Sequence, residues 1–95
     1  MSAYVISEVT ILDENLANTY RSLAAASIVK YEGRYLVRGA NPQVVEGKAT
    51  ERRIVIVEFP SLEKAQEWYT SPDYAEALQL RESVLDRRLM FVEGL

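Results

Sequence analysis

The chemistry-bearing residues of this chain are arginines, carboxylates and tyrosines, and one cluster of them starts at Gly33-Arg34-Tyr35-Leu36-Val37-Arg38-Gly39. A strand over this run alternates faces, so Arg34, Leu36 and Arg38 share one side and Tyr35 and Val37 the other. From mid-strand, Arg38 is expected to face an enclosed space. A guanidinium there clamps a carboxylate or polarises an enolate oxygen through charge-assisted, bidentate hydrogen bonds. A plain ion pair between Arg38 and Glu58 on the neighbouring strand is the structural alternative. Glu8 and Glu58 hold matching places in two similar segments, Tyr4-Val5-Ile6-Ser7-Glu8-Val9 and Ile54-Val55-Ile56-Val57-Glu58-Phe59. Two carboxylates close together in a poorly solvated space raise at least one pKa, which yields a general acid or base. The alternative is that each pairs with an arginine or lies in water. Tyr69, Tyr74 and Arg81 belong to a broken helix farther on, where a hydroxyl or guanidinium could orient a ligand; buried aromatics more often serve as core. The expected set is therefore Arg38, Glu58 and Glu8 for catalysis and Tyr69, Tyr74 and Arg81 for ligand binding.

Two absences narrow the chemistry. The chain has no cysteine and no histidine. Without cysteine there are no disulfides, thiolate nucleophiles, iron–sulfur clusters or cysteine zinc sites. Without histidine the usual neutral-pH base, the commonest metal ligand and the usual proximal haem ligand are missing. No metal and no cofactor are expected. The net charge of −3, without a lysine- or arginine-rich run, argues against a nucleic-acid partner. No apolar run approaches the ~20 residues that span a bilayer, and Met1-Ser2-Ala3-Tyr4 does not open like a secretory signal, so a cytoplasmic address is expected.

The elements that must position these residues follow from periodicity and punctuation. Residues 1–95 suit a single domain. The two similar segments, and the echo of Leu36-Val37-Arg38-Gly39 in Phe91-Val92-Glu93-Gly94, suggest two strand–helix–strand halves. Asp13 is a good helix N-cap, Leu16, Tyr20, Leu23, Ser27 and Tyr31 recur at helical spacing, and Gly33 is expected to end that helix. Pro60-Ser61 opens a second helix with Leu62, Ala65, Trp68 and Tyr69 as its apolar stripe. Ser71-Pro72 restarts it, with Ala75, Leu78 and Val84 expected to face inward. A last strand runs from Arg88 to Glu93.

The expected fold is α+β, a ferredoxin-like βαββαβ chain with a four-stranded antiparallel-rich sheet. Strands 1 and 3 are expected to lie parallel at its centre, which would set Glu8 beside Glu58, with both helices on one face. Val5, Ser7, Val9, Tyr35, Val37, Val55, Val57 and Phe59 suit the helix side. Tyr4, Ile6, Glu8, Leu36, Arg38, Ile54, Ile56 and Glu58 are left to the bare side, because a covered core tolerates unpaired charge poorly. An apolar face of that size must be covered, and a second copy packed sheet to sheet would enclose the three charges. Asn41-Pro42 is expected to bend the second strand at the rim, and Arg34 to reach water.

The run Gly33–Gly47, followed by Val55–Tyr74 and closing with Phe91–Leu95, resembles the domain-of-unknown-function family numbered 1330 over essentially the whole chain. Its marks here are Gly-Arg-Tyr-Leu-Val-Arg-Gly, Glu-Phe-Pro-Ser, Trp-Tyr-Thr-Ser-Pro-Asp-Tyr and the terminal Val-Glu-Gly. That family is similar in fold to the dimeric α+β barrels, among them cofactor-free antibiotic-biosynthesis monooxygenases, muconolactone isomerases and haem-degrading enzymes. The resemblance implies two ferredoxin-like sheets packed as a homodimer. Tyr31 stands where many members carry a histidine, which sets histidine-dependent chemistry aside, and the missing histidine sets aside the haem branches. Family membership alone implies no reaction.

The function expected from all this is a cofactor-independent enzyme of isomerase, cyclase or monooxygenase type. It would act on a small organic acid or aromatic metabolite in a pocket of the dimeric barrel. The alternatives are a non-catalytic small-molecule-binding dimer and a purely structural dimer.

Overall fold

The computed structural model describes residues 1–95. Two βαβ crossovers interlock in it: β1 (Ala3–Ile11), α1 (Glu14–Lys30) and β2 (Arg34–Ala40), then β3 (Arg53–Phe59), α2 (Leu62–Tyr69), α3 (Pro72–Val84) and β4 (Leu85–Glu93). The sheet order is β2-β3-β1-β4, and every neighbouring pair is antiparallel. This is the ferredoxin-like arrangement, with one correction. The strands made parallel by each crossover are not neighbours, because β3 lies between β1 and β2, and β1 between β3 and β4. β1 and β3 therefore run antiparallel, with Glu8 opposite Ile54 and Glu58 opposite Tyr4. The two carboxylates lie toward opposite ends of the pair and cannot share a proton.

Side-chain chemistry sets the helix ends. The Asp13 carboxylate accepts the Leu16 N–H at 3.1 Å, and Ser61 caps α2 in the same way. Ser71 joins α2 to α3: its hydroxyl donates to the Trp68 carbonyl at 2.7 Å and accepts the Tyr74 N–H at 3.2 Å. Pro72, just inside α3, has no N–H to leave unpaired. The resulting bend brings the Trp68 and Tyr74 rings to 4.3 Å. With Phe59, 5.5 Å from Trp68, they form an aromatic cluster within the core. The inward face of α3 is Tyr74, Ala77 and Val84, all fully buried; Ala75, expected to face inward, is exposed.

All three helices cover one face of the sheet. Ala3, Val5, Ser7 and Val9 are buried beneath them, while the intervening Tyr4, Ile6 and Glu8 are half-buried on the other side. The molecule is accordingly a two-layer slab, 16 Å along its shortest axis.

β2 breaks the expected alternation. Its register against β3 slips between Tyr35 and Val37 and again between Arg38 and Ala40. These are β-bulges, each leaving one residue without an opposite number. The second leaves out Gly39, whose φ of +87° suits glycine. Tyr35 pairs with Val57 and Arg38 with Val55, so both side chains face the helices. Val37 pairs with Ile56 and moves to the bare side. The predicted positions of Arg38 and Val37 are exchanged, and the bend expected at Asn41-Pro42 lies inside the strand instead.

α1 ends in a Schellman motif. Gly33 N–H bonds the Ile28 carbonyl at 2.9 Å and Glu32 N–H the Val29 carbonyl at 3.0 Å. Gly33, expected as the terminator, is the residue after it: a side chain there would strike the Phe59 ring at 2.7 Å. The left-handed position belongs to Glu32, with φ of 66°. A non-glycine residue there costs about 1 kcal/mol, and the exposed Glu32–Lys64 pair at 3.5 Å offsets little of it. Glu32→Gly is therefore expected to stabilise the protein by about 0.5–1 kcal/mol, read as a higher urea midpoint at unchanged slope.

Candidate functional site

α1 packs chiefly on α3, and between it and the sheet lies a cavity of about 400 Å³. Its floor is β1, where Val5, Ser7 and Val9 point up, flanked by Val55 and Val57 of β3 and Leu89 of β4. Tyr20, Ala24 and Ile28 of α1 form the roof, and Trp68 closes one end. The size suits one small organic molecule.

Four arginines line this largely apolar space, Arg21, Arg38, Arg53 and Arg87, against a single acidic residue, Glu14. The ion pairs of the molecule use other cations: Lys30 with Asp73, Arg34 with Glu58, Arg52 with Asp86, and Lys64 with Glu32 and Glu67. All four cavity arginines lack an acidic partner. Arg38 stacks over the Tyr35 ring at 4.4 Å, and Arg21 donates to the Asn18 amide oxygen at 3.0 Å. In a chain of net charge −3, this gathering of unpaired cations over an apolar floor is an arrangement whose chemistry favours an anion.

Arg87 is the most firmly held. One of its terminal nitrogens donates to the Tyr20 hydroxyl at 2.7 Å and the other to the Tyr74 hydroxyl at 2.8 Å. The two hydroxyls lie 2.7 Å apart. Burial works against the charge on Arg87, but the two phenolic oxygens outweigh it and leave the pKa above its ordinary value. Burial pushes the Tyr74 phenol far up, so it stays neutral. Counting protons orients the group. Each hydroxyl accepts from Arg87, and fully buried Tyr74 has no acceptor except Tyr20. Its proton therefore goes to Tyr20, and Tyr20, which lines the cavity, has its own O–H free to donate into the open space.

The structure divides the predicted residues. Arg38 lines the cavity, although from the helix side of the sheet and not the bare side. Glu8 and Glu58 lie on the opposite face, so no single pocket holds the three. Glu58 accepts from Arg34 Nε at 2.7 Å, in the pair expected of Arg38. That hydrogen bond holds its carboxyl below the ordinary range, which makes it an ionised partner and a poor carrier of protons. Tyr74 does not touch the cavity but supports Tyr20 and Arg87 from behind. Tyr69 packs edge-on against Phe91 at 6.0 Å, outside the lining. Arg81 is also outside, with a buried Nε that has no hydrogen-bond partner. No three His, Cys, Asp or Glu residues cluster to hold a metal.

Arg87 and Arg53 escaped the sequence for a definable reason. β4 starts at Leu85, three residues before the first residue expected of it. Had it been extended, the alternation Leu85, Arg87, Leu89, Phe91 would have put Arg87 on the inward face. Arg53 shares the parity of Val55 and Val57 but stands beside the hairpin, where charge is ordinarily solvated.

The roof is fixed by polar contacts. Trp68 Nε1 donates to the buried Ser27 hydroxyl at 2.9 Å. Asp73 receives Lys30 at 2.7 Å and the Tyr31 hydroxyl at 2.9 Å, so Tyr31 is a brace outside the cavity.

A family model described as "Domain of unknown function (DUF1330)" matches residues 2–95. No curated protein matches the chain. Among solved structures, a protein of unknown function from Rhodopseudomonas palustris is similar at 19% identity and a TM-score of 0.78, with 99% of this chain and 82% of that one covered. A dimeric protein of unknown function and ferredoxin-like fold from Bacteroides fragilis is similar at 14% identity and a TM-score of 0.63, covering 98% and 96%. SnoaB, a cofactor-independent oxygenase from Streptomyces nogalater, is similar at 7% identity and a TM-score of 0.62, covering 99% and 93%. At these identities the likeness is one of fold. No helix is long and apolar enough to cross a membrane.

The brace at Asp73 carries a pH signature. Hydrogen bonds from Lys30 and then Tyr31 lower its pKa in the folded state. A depressed acid contributes stability that is complete above its unfolded value, about 4, and is lost as pH falls through the folded value. Asp73→Asn is expected to be less stable than the unmodified protein at pH 7, with the gap in urea midpoint narrowing below about pH 4. A gap that stays constant down to pH 2 would contradict the brace.

Proposed function

The chain belongs to the DUF1330 family, and we propose that it binds a small aromatic or otherwise apolar organic acid, or its enolate, in the cavity under α1. The observation that carries this is the set of four cavity arginines without a carboxylate partner, set around an apolar floor. An apolar ring on Val5, Val9 and Val57 displaces water, and a carboxylate or enolate oxygen meets guanidinium donors already aimed at the cavity. Stabilising an enolate there is the electrostatic part of isomerase, cyclase or cofactor-independent oxygenase chemistry. The reading is compatible with the fold shared with SnoaB. Arg38 is assigned the anion-gripping role, because the bulges at Leu36 and Gly39 direct it to the cavity mouth. A second reading, a binding module that releases its ligand unchanged, draws on the single carboxylate, Glu14, left in the cavity to move a proton.

The bare face supports a homodimer. Tyr4, Ile6, Ile54, Ile56, Val37 and Met90 share it by register, and burying such a face against its copy stabilises at about 25 cal/mol per Å² of apolar surface. The Bacteroides fragilis neighbour is described as dimeric, and two sheets packed in this way form an α+β barrel.

Calorimetric titration with 2-naphthoate tests the cavity. Arg38→Met is expected to weaken binding about tenfold or more, the loss of a hydrogen bond to a charged group, with the thermal midpoint unchanged. Equal affinity in the variant would remove Arg38 from the site. Native mass spectrometry tests the face: a dimer for the unmodified protein and a monomer for Ile56→Glu. A monomeric unmodified protein at micromolar concentration would contradict the barrel.

A further inference from the structure

The cavity's cations are not in one place. Arg53 and Arg87 are both in register with Val9, one on each side of it, on β3 and β4. Their backbones are therefore two strand spacings apart, about 10 Å. Arg38 stands beyond Arg53 on the edge strand, in register with Val55. The sheet thus presents a rim pole, the exposed Arg38 and Arg53, and an inner pole, the half-buried Arg87. The strip between them is β1, where Val5 and Val9 are buried and apolar.

The inner pole is complete as an anion site. Arg87 spends one N–H of each terminal nitrogen on Tyr20 and Tyr74 and retains three of its five donors. The free O–H of Tyr20 adds another beside it. The rim pole has no protein acceptor either: Arg38 has only the Tyr35 ring, and Arg53 has neither an ion pair nor a side-chain hydrogen bond. A monoanion would satisfy one pole and leave the other unanswered.

We propose that the ligand is a dianion: a flat apolar body about the length of two fused rings, with an acidic group at each end. One acid is held by Arg38 and Arg53, the other by Arg87 and Tyr20. This rests on the anion-binding reading above and adds the number and spacing of the charges. Matching poles across a rigid body also gives specificity, because a shorter diacid reaches only one of them.

The test is calorimetric titration at fixed ionic strength with 2-naphthoate and naphthalene-2,6-dicarboxylate, which differ by one acid on the same body. The diacid is expected to bind at least tenfold more tightly. Arg87→Met and, at the other pole, Arg53→Met are each expected to erase that advantage; exposed Arg53 guards against an Arg87 variant that fails to fold. Tyr20→Phe is expected to reduce the advantage about threefold. Equal binding of the two acids, or an advantage that survives both arginine substitutions, overturns the dianion while leaving the cavity as a monoanion site. Failure of both acids to bind overturns the anion-binding reading and the dianion together.

Discussion

A guanidinium held between sheet and helices by two phenols, with no acid near it, is the constraint around which this structure is arranged. Arg87 projects from β4 into the space between the layers, where a charge deprived of water is costly unless its donors are met. Tyr20 of α1 and Tyr74 of α3 meet two of them, and their mutual hydrogen bond ties the two helices together. A carboxylate in place of either phenol would neutralise the charge and close the pocket electrostatically. With phenols, the cation is positioned but not neutralised. α1 thus rests on hydrogen-bonded posts, Tyr20 at one point and Ser27 on Trp68 at another, and the gap beneath it remains available to a ligand.

The rest of the site follows from the way β2 departs from regularity. A regular strand would send Arg38 to the bare face, opposite Ile54. Two bulges turn it to the other side. The same irregularity puts Val37 on the bare face beside Ile56, where it extends the apolar patch. One local device therefore places a cation at the cavity's edge and keeps one off the bare face. Glu58, held by Arg34, belongs to the bare face; the cavity belongs to the arginines.

What the sequence revealed and what it hid divide along physical lines. Caps, stops and apolar periodicity are local, so Asp13, Ser61, Ser71-Pro72 and the order of elements were legible, and so was an apolar sheet face in need of a cover. A bulge adds a residue without changing composition, and nothing in Gly-Arg-Tyr-Leu-Val-Arg-Gly distinguishes a bulged strand from a regular one except Gly39 itself. Strict alternation therefore puts Arg38 on the wrong side of the sheet, and the residue expected in an enclosed space stands exposed at the edge of the cavity it lines. Strand direction is not legible for a different reason: each crossover fixes the sense of two strands that another strand then separates. Arg87 was hidden because a charged pair, Arg87-Arg88, looks like the end of a strand, whereas only its first member points inward. Tyr74 is visible in the sequence as a tyrosine near a helix break, but its position behind Tyr20 depends on tertiary packing that no spacing encodes.

The decisive property of this molecule is whether the space under α1 attracts negative charge. The most direct measurement is anomalous scattering from a crystal of the protein soaked in bromide, which locates anions without any assumption about the ligand. Bromide is expected inside the cavity, within hydrogen-bond reach of Arg87, in addition to whatever binds outside. Bromide on exposed surface arginines with none in the cavity, or an Arg87 side chain turned out into solvent, would contradict it.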